Sequence, residues 1–179
     1  MNLDKAIFLD RDGVLNQSYI VNGKPFAPRK LNDFKFVDDV ENAIKILKST
    51  GYYLIVVTNQ PDVGNGLMKK EIVESMNNLM MTRLGLDAVK VCYHSQKDEC
   101  DCRKPKPGML LESSRELGID LKESFLIGDR KGDIVAGKSV GCYSIFIDNG
   151  YSKSEQPSTA DFVASNIKEA ASHILSYIT

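Results

Sequence analysis

Residues 6–14 read AIFLDRDGV and decide the fold, because an apolar run ends there in the carboxylates of Asp10 and Asp12. A short apolar run bounded by Gly13 indicates a buried β-strand, and open α/β sheets bind their ligands beyond the carboxyl ends of such strands. Two carboxylates this close repel each other unless a cation lies between them, so the pair predicts a hard divalent metal, most simply Mg²⁺. The alternative is an acidic turn without function.

A second apolar run covers residues 52–57 and ends in Thr58, Asn59 and Gln60. The run predicts another strand, which places a hydroxyl group and two amides at its carboxyl end. Such groups are suited to hold the oxygens of a phosphoryl group.

Two further segments add charge to the same pattern. Arg103 and Lys104 precede a helix-like segment, and their cations could neutralise a transferring phosphoryl group. Residues 124–127 form a third apolar run, which leads into Asp129 and then Asp133. We expect Asp129 to complete the metal site.

Taken in order, these motifs resemble those of the haloacid dehalogenase superfamily of aspartate-nucleophile phosphatases. The resemblance implies that Asp10 attacks phosphorus and carries an aspartyl-phosphate. It implies that Asp12 protonates the leaving oxygen and later activates water. The matching positions are Asp10-x-Asp12-Gly, Thr58, Lys104 and Gly128-Asp129-x-x-x-Asp133.

The resemblance also assigns ligands to the expected Mg²⁺. The side chains of Asp10 and Asp129 and the backbone carbonyl of Asp12 would hold the ion, and Asp133 would orient this site. Lys104 and Thr58 would serve catalysis. The expected substrate contacts are Thr58, Asn59, Gln60, Arg103, Lys104, Arg130 and Tyr19.

A second cluster consists of Cys92, His94, Cys100 and Cys102. Three thiolates and one imidazole form the closed tetrahedral ligand set of a structural Zn²⁺ site. A disulfide is the weaker interpretation, because no signal peptide is evident and cytosolic thiols stay reduced. Coincidental reduced thiols and redox chemistry remain as alternatives. Zinc would order the loop that carries Arg103 and Lys104, and would take no part in the chemistry.

The stretch from Cys100 to Met109 narrows the resemblance to the branch that contains histidinol phosphatases and heptose bisphosphatases. This branch implies that D-glycero-D-manno-heptose 1,7-bisphosphate is hydrolysed to the heptose 1-phosphate, with Arg103 gripping the second phosphate. Histidinol phosphate or another small sugar phosphate is the alternative. The sequence departs from the branch at Asn65, where an arginine is usual.

The whole chain is expected to form one α/β domain over residues 1–179, with a Rossmann-like parallel sheet covered by helices on both faces. Asn22-Gly23 predicts a hairpin flap over the nucleophile, on which Lys24 and Arg29 are substrate contacts or merely a solvated basic surface. No cap domain is expected, so the pocket should be open. Strands are predicted near residues 5–10, 52–58, 88–93, 124–127 and 143–147.

Composition excludes several classes of function. A net charge of −1 gives no electrostatic case for nucleic-acid binding, and no apolar stretch of the 179 residues is long enough to span a membrane. We therefore expect a cytoplasmic, monomeric enzyme that acts on a small phosphorylated metabolite. The competing hypothesis is a non-catalytic binding module that retains the same fold.

Overall fold

The computed structural model describes residues 3–151 and 153–179. Six parallel strands form the central sheet in the order β5-β4-β1-β6-β7-β8, and β2 and β3 form a separate hairpin. The strands are β1 Ala6–Leu9, β2 Tyr19–Val21, β3 Lys24–Phe26, β4 Tyr53–Asn59, β5 Ala88–Cys92, β6 Phe125–Gly128, β7 Tyr143–Ile147 and β8 Phe162–Ala164. The helices are α1 Val40–Lys48, α2 Pro61–Gly64, α3 Lys70–Leu84, α4 Gly108–Leu117, α5 Lys131–Ser139 and α6 Ile167–Ile178.

Strand β1 lies in the interior of the sheet, where it pairs with β4 and β6. Leu9 is in register with Val56 on one side and with Ile127 on the other. All of β1 is buried, as a continuous apolar run requires when both faces of a parallel sheet are covered. The predicted strand and the predicted Rossmann-like α/β fold are confirmed, and the structure adds that this strand lies in the interior of the sheet.

Helices cover both faces of the sheet. Ile7 and Leu9 pack into one hydrophobic cluster with α1, α3 and α6, whereas Ala6 and Phe8 point to the opposite face and pack against α4 and α5. The alternation follows from the period of two along a strand. It confirms the predicted three-layer arrangement. The buried apolar side chains of α1 and α6 recur at helical spacing and belong to the first of these clusters.

The predicted hairpin is present between β1 and α1. Asn22 and Gly23 form its turn with φ angles of 51° and 74°, the left-handed values that a tight hairpin turn requires. The guanidinium of Arg130 donates to the carbonyl of Pro25 at 2.6 Å and ties the hairpin to the end of β6. In the described part of the chain, the two segments that follow β1 and β4 hold no inserted cap domain.

The structure adds two features near the carboxyl terminus that the sequence pattern did not indicate. Strand β8 has three residues and follows a polar loop, so it carried too little periodicity to be recognised. The sequence of the last helix predicts an apolar stripe that excludes His173, so this histidine is expected to be a plain surface residue; the stripe comprises Ile167, Ala170, Ala171, Ile174, Leu175 and Ile178. In the structure, His173 stacks on Phe162 with 3.7 Å between the ring centroids. Among the described helices, none combines the length and apolarity needed to cross a membrane.

Candidate active site

The carboxyl ends of β1, β4 and β6 meet at one edge of the sheet, beside a cavity of about 310 Å³. Asp10 follows β1, Thr58 is the second-last residue of β4, and Asp129 follows β6. Because parallel strands end at the same edge, three segments distant in sequence deliver their polar groups to one place. Asp10, Asp12, Lys104 and Asp133 line the cavity.

Three buried carboxylates form a cradle of cation-binding size. One oxygen from each of Asp10, Asp129 and Asp133 lies within 4.8 Å of the others. Asp129 is fully buried, and its Oδ1 has no hydrogen-bond partner in the described residues. Burial raises the pKa of Asp129 well above its usual range and that of Asp10 to about 6, although Lys104 opposes the rise at Asp10. Such a set of oxygen ligands fits a divalent cation of the Mg²⁺ type.

The other oxygen of Asp129 is held by two side chains that sequence reasoning missed. The hydroxyl of Tyr151 donates to Oδ2 at 2.7 Å, and the amide of Asn149 lies 3.4 Å from the same atom. Both residues follow β7, so the signal that identified Asp10 and Asp129, a polar group just after an apolar run, was present here too. A Cβ atom at Gly13 would lie 1.8 Å from this oxygen, which explains the glycine.

Lys104 lies between two of these carboxylates. Its Nζ is 2.7 Å from Asp10 Oδ1 and 2.6 Å from Asp133 Oδ1, and it also donates to the carbonyl of Val57 at 2.6 Å. The lysine is buried, and a buried cation requires such partners. Asp133 also accepts from the backbone N–H of Arg130 and caps helix α5. Lys104 is therefore fixed in position beside the predicted nucleophile.

Asn59 and Gln60 form hydrogen bonds to other residues of the site. The side chain of Asn59 pairs with both backbone polar groups of Lys104, donating to its carbonyl at 2.9 Å and accepting from its N–H at 3.1 Å. Gln60 is fully buried and donates to Asp12 at 2.6 Å and to the Thr58 hydroxyl at 3.0 Å. Asn59 and Gln60 also reach the cavity wall, whereas the buried Thr58 is not among its lining residues.

Asp12 is enclosed by hydrogen-bond donors. Its Oδ1 accepts from Asn16 at 2.9 Å, its Oδ2 accepts from Gln60, and both oxygens accept from the same amino group of Arg11 at 3.1 Å. Each oxygen thus has two donors, which fixes the plane of the carboxyl group. Asp12 is 8% exposed and faces the cavity beside Asp10.

Cys92, His94, Cys100 and Cys102 come together in space as the sequence predicted. Cys92 Sγ lies 3.7 Å from Cys100 Sγ and 3.6 Å from His94 Nδ1, and Cys102 Sγ lies 3.2 Å from the same nitrogen. Sulfurs at Zn–S distances of about 2.3 Å in a tetrahedron stand roughly 3.8 Å apart. The four residues therefore fit a tetrahedral zinc ion.

The cavity rim carries two arginines. Arg103 and Arg130 both line it, and one terminal nitrogen of Arg103, Nη1, is buried with no hydrogen-bond partner in residues 3–151 and 153–179. Arg29 bridges the hairpin segment to Asp62 at 2.6 Å. Tyr19 is 47% exposed, and its hydroxyl lies 3.4 Å from the carbonyl of Asp33. Neither Tyr19 nor Asp33 is among the residues that line the cavity.

Comparison with known proteins agrees with this geometry. Residues 101–170 match a family model described as HAD-hydrolase-like. The chain is 40% identical over 146 residues to the D-glycero-beta-D-manno-heptose-1,7-bisphosphate 7-phosphatase of Haemophilus influenzae, covering 75% of this chain and 76% of that protein. The chain belongs to the haloacid dehalogenase superfamily of phosphatases.

Other members of the superfamily match over almost the whole chain. The Vibrio cholerae protein of the same name is 32% identical over 185 residues, which covers 95% of this chain and 96% of its own. The crystal structure of the D,D-heptose 1,7-bisphosphate phosphatase from B. bronchiseptica, complexed with magnesium and phosphate, aligns with a TM-score of 0.79 at 24% identity, over 98% and 99% of the two chains. That likeness shows a shared haloacid dehalogenase fold. As a member of this superfamily the chain is a phosphoric monoester hydrolase.

Proposed function

We propose that this chain is a Mg²⁺-dependent phosphatase that removes the 7-phosphate from D-glycero-β-D-manno-heptose 1,7-bisphosphate. The observation that carries the proposal is the buried carboxylate of Asp10, which lines the cavity 2.7 Å from the Lys104 ammonium. The names of the relatives at 32% and 40% identity support the choice of substrate.

The proposed reaction has two halves. In the first, a carboxylate oxygen of Asp10 bonds to phosphorus, the bond from phosphorus to the sugar oxygen breaks, and Asp12 gives its proton to that oxygen. In the second, Asp12 takes a proton from water as the water attacks the aspartyl-phosphate, which releases phosphate and restores Asp10. Lys104 stabilises negative charge on the phosphoryl group.

Asp10 and Asp129 would hold Mg²⁺ through their side chains, with the Asp12 carbonyl as a third ligand. The ion would offset the repulsion between the phosphate ester and an anionic nucleophile. The unpartnered Oδ1 of Asp129 supports this assignment. Asp133 would orient the site through Lys104, the cation that it shares with Asp10.

The second phosphate of the substrate would bind at the cavity rim. Arg103 offers a planar guanidinium that suits phosphate oxygens, and its Nη1 has no protein partner within the described residues. Arg130 lies on the same wall, where Glu155 stands 3.9 Å from its Nη1. A monophosphate would leave these cations unused.

Zinc would be structural. Cys92, His94, Cys100 and Cys102 would hold it directly before Arg103 and Lys104, so the ion would order the loop that carries both cations. We further propose that residues 1–179 act as one phosphatase domain, whose cavity is lined by residues from Asp10 to Glu155, and that this domain acts as a monomer.

A panel of phosphate esters tests the proposed function. The purified protein, assayed for phosphate release with Mg²⁺, should give its highest kcat/KM with heptose 1,7-bisphosphate and release the 7-phosphate. Histidinol phosphate and sugar monophosphates are the competing substrates. A higher kcat/KM for histidinol phosphate would overturn the assigned substrate, and inactivity on every ester would overturn the phosphatase proposal.

A further inference from the structure

Arg11 lies between Asp10 and Asp12 in the sequence, and its side chain is completely buried. Full burial is unusual for an arginine. A buried guanidinium is costly unless it is paired and hydrogen-bonded. One amino group donates to both oxygens of Asp12, and the other, Nη1, donates to Asn77 Oδ1 at 3.0 Å. The edge of the guanidinium that does not face Asp12 is therefore held by a residue 66 positions away.

Asn77 is a polar residue among the otherwise apolar buried side chains of α3. It lies on the buried side of α3 and is 4% exposed, beside the fully buried Met76 and Met80. A polar side chain in an apolar stripe lowers stability unless it makes a hydrogen bond. The bond from Arg11 satisfies its carbonyl oxygen, and this contact gives the asparagine a physical reason to stand there.

The consequence concerns the orientation of Asp12. Asn16 donates to Oδ1 and Gln60 donates to Oδ2, but among the described residues only Arg11 donates to both oxygens. An arginine side chain is long and has many rotamers, and Arg11 Nε has no hydrogen-bond partner in the described chain. The hydrogen bond to Asn77 fixes the orientation of the guanidinium. Because the guanidinium donates to both oxygens of Asp12, it also fixes the orientation of the carboxyl group.

We propose that Asn77 is a positioning residue, which holds Asp12 through Arg11 so that its proton is aimed at the leaving oxygen. The inference rests on the proposed function, in which Asp12 is the general acid. Asn77 does not line the cavity, so it acts without touching the substrate. Misplacement of a catalytic group by about 1 Å can lower a rate by roughly a hundredfold.

The test compares two substrates whose leaving groups differ in how much they depend on protonation by a general acid. Phenyl phosphate releases a poor leaving group that depends on a well-placed acid, whereas 4-nitrophenyl phosphate releases a stable anion that does not. The quantity to compare is kcat/KM, which reports phosphoryl transfer to Asp10. Asn77→Leu should lower kcat/KM about tenfold to a hundredfold for phenyl phosphate and by less than about threefold for 4-nitrophenyl phosphate.

Two further variants separate positioning from packing. Asn77→Asp keeps an oxygen that can accept from Arg11, and it should restore most of the activity on phenyl phosphate. Asn78→Leu changes the exposed neighbour on the same helix and should leave both esters unaffected. If Asn77→Leu does not fold, Asn77→Ser, whose hydroxyl is too short to reach Arg11, should show the same selective loss.

Three results would overturn the inference. Equal losses on both esters would show that Asn77 serves only the packing of α3. An unchanged rate on phenyl phosphate would show that Asp12 needs no such support. A wild-type protein that hydrolyses neither these two esters nor heptose 1,7-bisphosphate would overturn the proposed function and this inference with it, whereas a wild type active on both esters with an unselective loss in Asn77→Leu would overturn the inference alone.

Discussion

Lys104 and Asp10 form an ion pair in which Nζ lies 2.7 Å from Oδ1, and both side chains are almost completely buried. Burial makes an unpaired charge costly, so each group fixes the other in place. A second buried carboxylate, Asp133, lies 2.6 Å from the same ammonium and gives the lysine a further ionic partner. The predicted nucleophile is thus held, before substrate arrives, by the cation that would later contact the phosphoryl group.

The first prediction concerns Asp10. Asp10→Asn keeps the shape of the side chain but removes the nucleophilic oxygen, so kcat should fall by about 10³-fold or more. Binding of inorganic phosphate, measured by calorimetry, should persist. The matched control is Asp38→Asn at an exposed position, which should behave as wild type. Retention of more than about a tenth of kcat in the Asp10 variant would exclude it as the nucleophile.

The second prediction concerns the Mg²⁺ site. Tyr151→Phe removes the hydroxyl that donates to Asp129 Oδ2 at 2.7 Å, so half-maximal activity should require about tenfold more Mg²⁺. Asp129→Ala should require still more. Tyr177→Phe, at a residue 60% exposed, is the control. If the Mg²⁺ titration of Asp129→Ala matched that of wild type, Asp129 would not be a ligand.

The third prediction concerns zinc. Protein purified without added metal should contain one zinc per chain by elemental analysis, and Cys100→Ser or Cys102→Ser should lose it. Because the loop precedes Lys104, the loss should lower kcat at least about tenfold and lower the melting temperature as well. Cys142→Ala, at a buried cysteine outside the cluster, should retain zinc. Full activity in a zinc-free protein would refute the coupling of zinc to the loop.

The fourth prediction separates the two phosphates of the substrate. Arg103→Ala should raise KM about 10- to 100-fold for the heptose bisphosphate, the loss expected for a charged hydrogen bond. For a sugar monophosphate the rise should stay below about threefold. Arg115→Ala, an exposed arginine on α4, provides the control. Equal losses on both substrates would place Arg103 at the reacting phosphoryl group or in the structure of the loop.

The fifth prediction concerns pH. Burial raises the pKa of Asp10 from 3.8 to about 6 in the metal-free protein, so the folded chain binds more protons than the unfolded chain between these values. Without Mg²⁺, this group therefore contributes less stability as pH rises through about 6, by at most about 3 kcal/mol. Mg²⁺ can replace the proton only once the carboxyl group is ionised.

The stabilisation by Mg²⁺ should accordingly grow with pH. The rise in melting temperature on addition of saturating Mg²⁺ should be larger at pH 7 than at pH 5 by roughly 5 °C. A variant that combines Asp10→Asn with Asp129→Asn lacks both carboxylates proposed to bind Mg²⁺ and should show little difference between the two pH values. A Mg²⁺ effect of the same size at both pH values in the wild type would contradict the prediction.

The sequence was informative where an apolar run ended in a polar group. This signal located Asp10, Thr58 and Asp129, because a parallel sheet brings the ends of its strands to one edge. The same signal was present after β7 and was overlooked, and so Asn149 and Tyr151 were missed. The zinc-type cluster was recognised because its residues lie close together in the chain.

Other features depended on the rotation of elements that no local pattern encodes. The contact between Arg11 and Asn77 depends on which side of α3 faces the site, and α3 is not strongly amphipathic. Tyr19 was expected to contact substrate, but the pairing of the hairpin directs its hydroxyl toward Asp33. That role of Tyr19 stays a prediction. Local patterns thus identified which strand ends form the site, and tertiary packing determined what surrounds them.

The two hydrogen bonds from the Asn59 side chain to the backbone of Lys104 hold only one part of the zinc-type loop. Lys104 is tied to the end of β4, and the N–H of Gly108 closes onto the carbonyl of Asp101 at 3.1 Å. Residues 95–99 lie outside these attachments, and Gln96 among them lines the cavity. Substitution of the exposed Gln96, with His94 and Cys100 retained, therefore offers a route to new substrate preferences that leaves the position of the reacting groups intact.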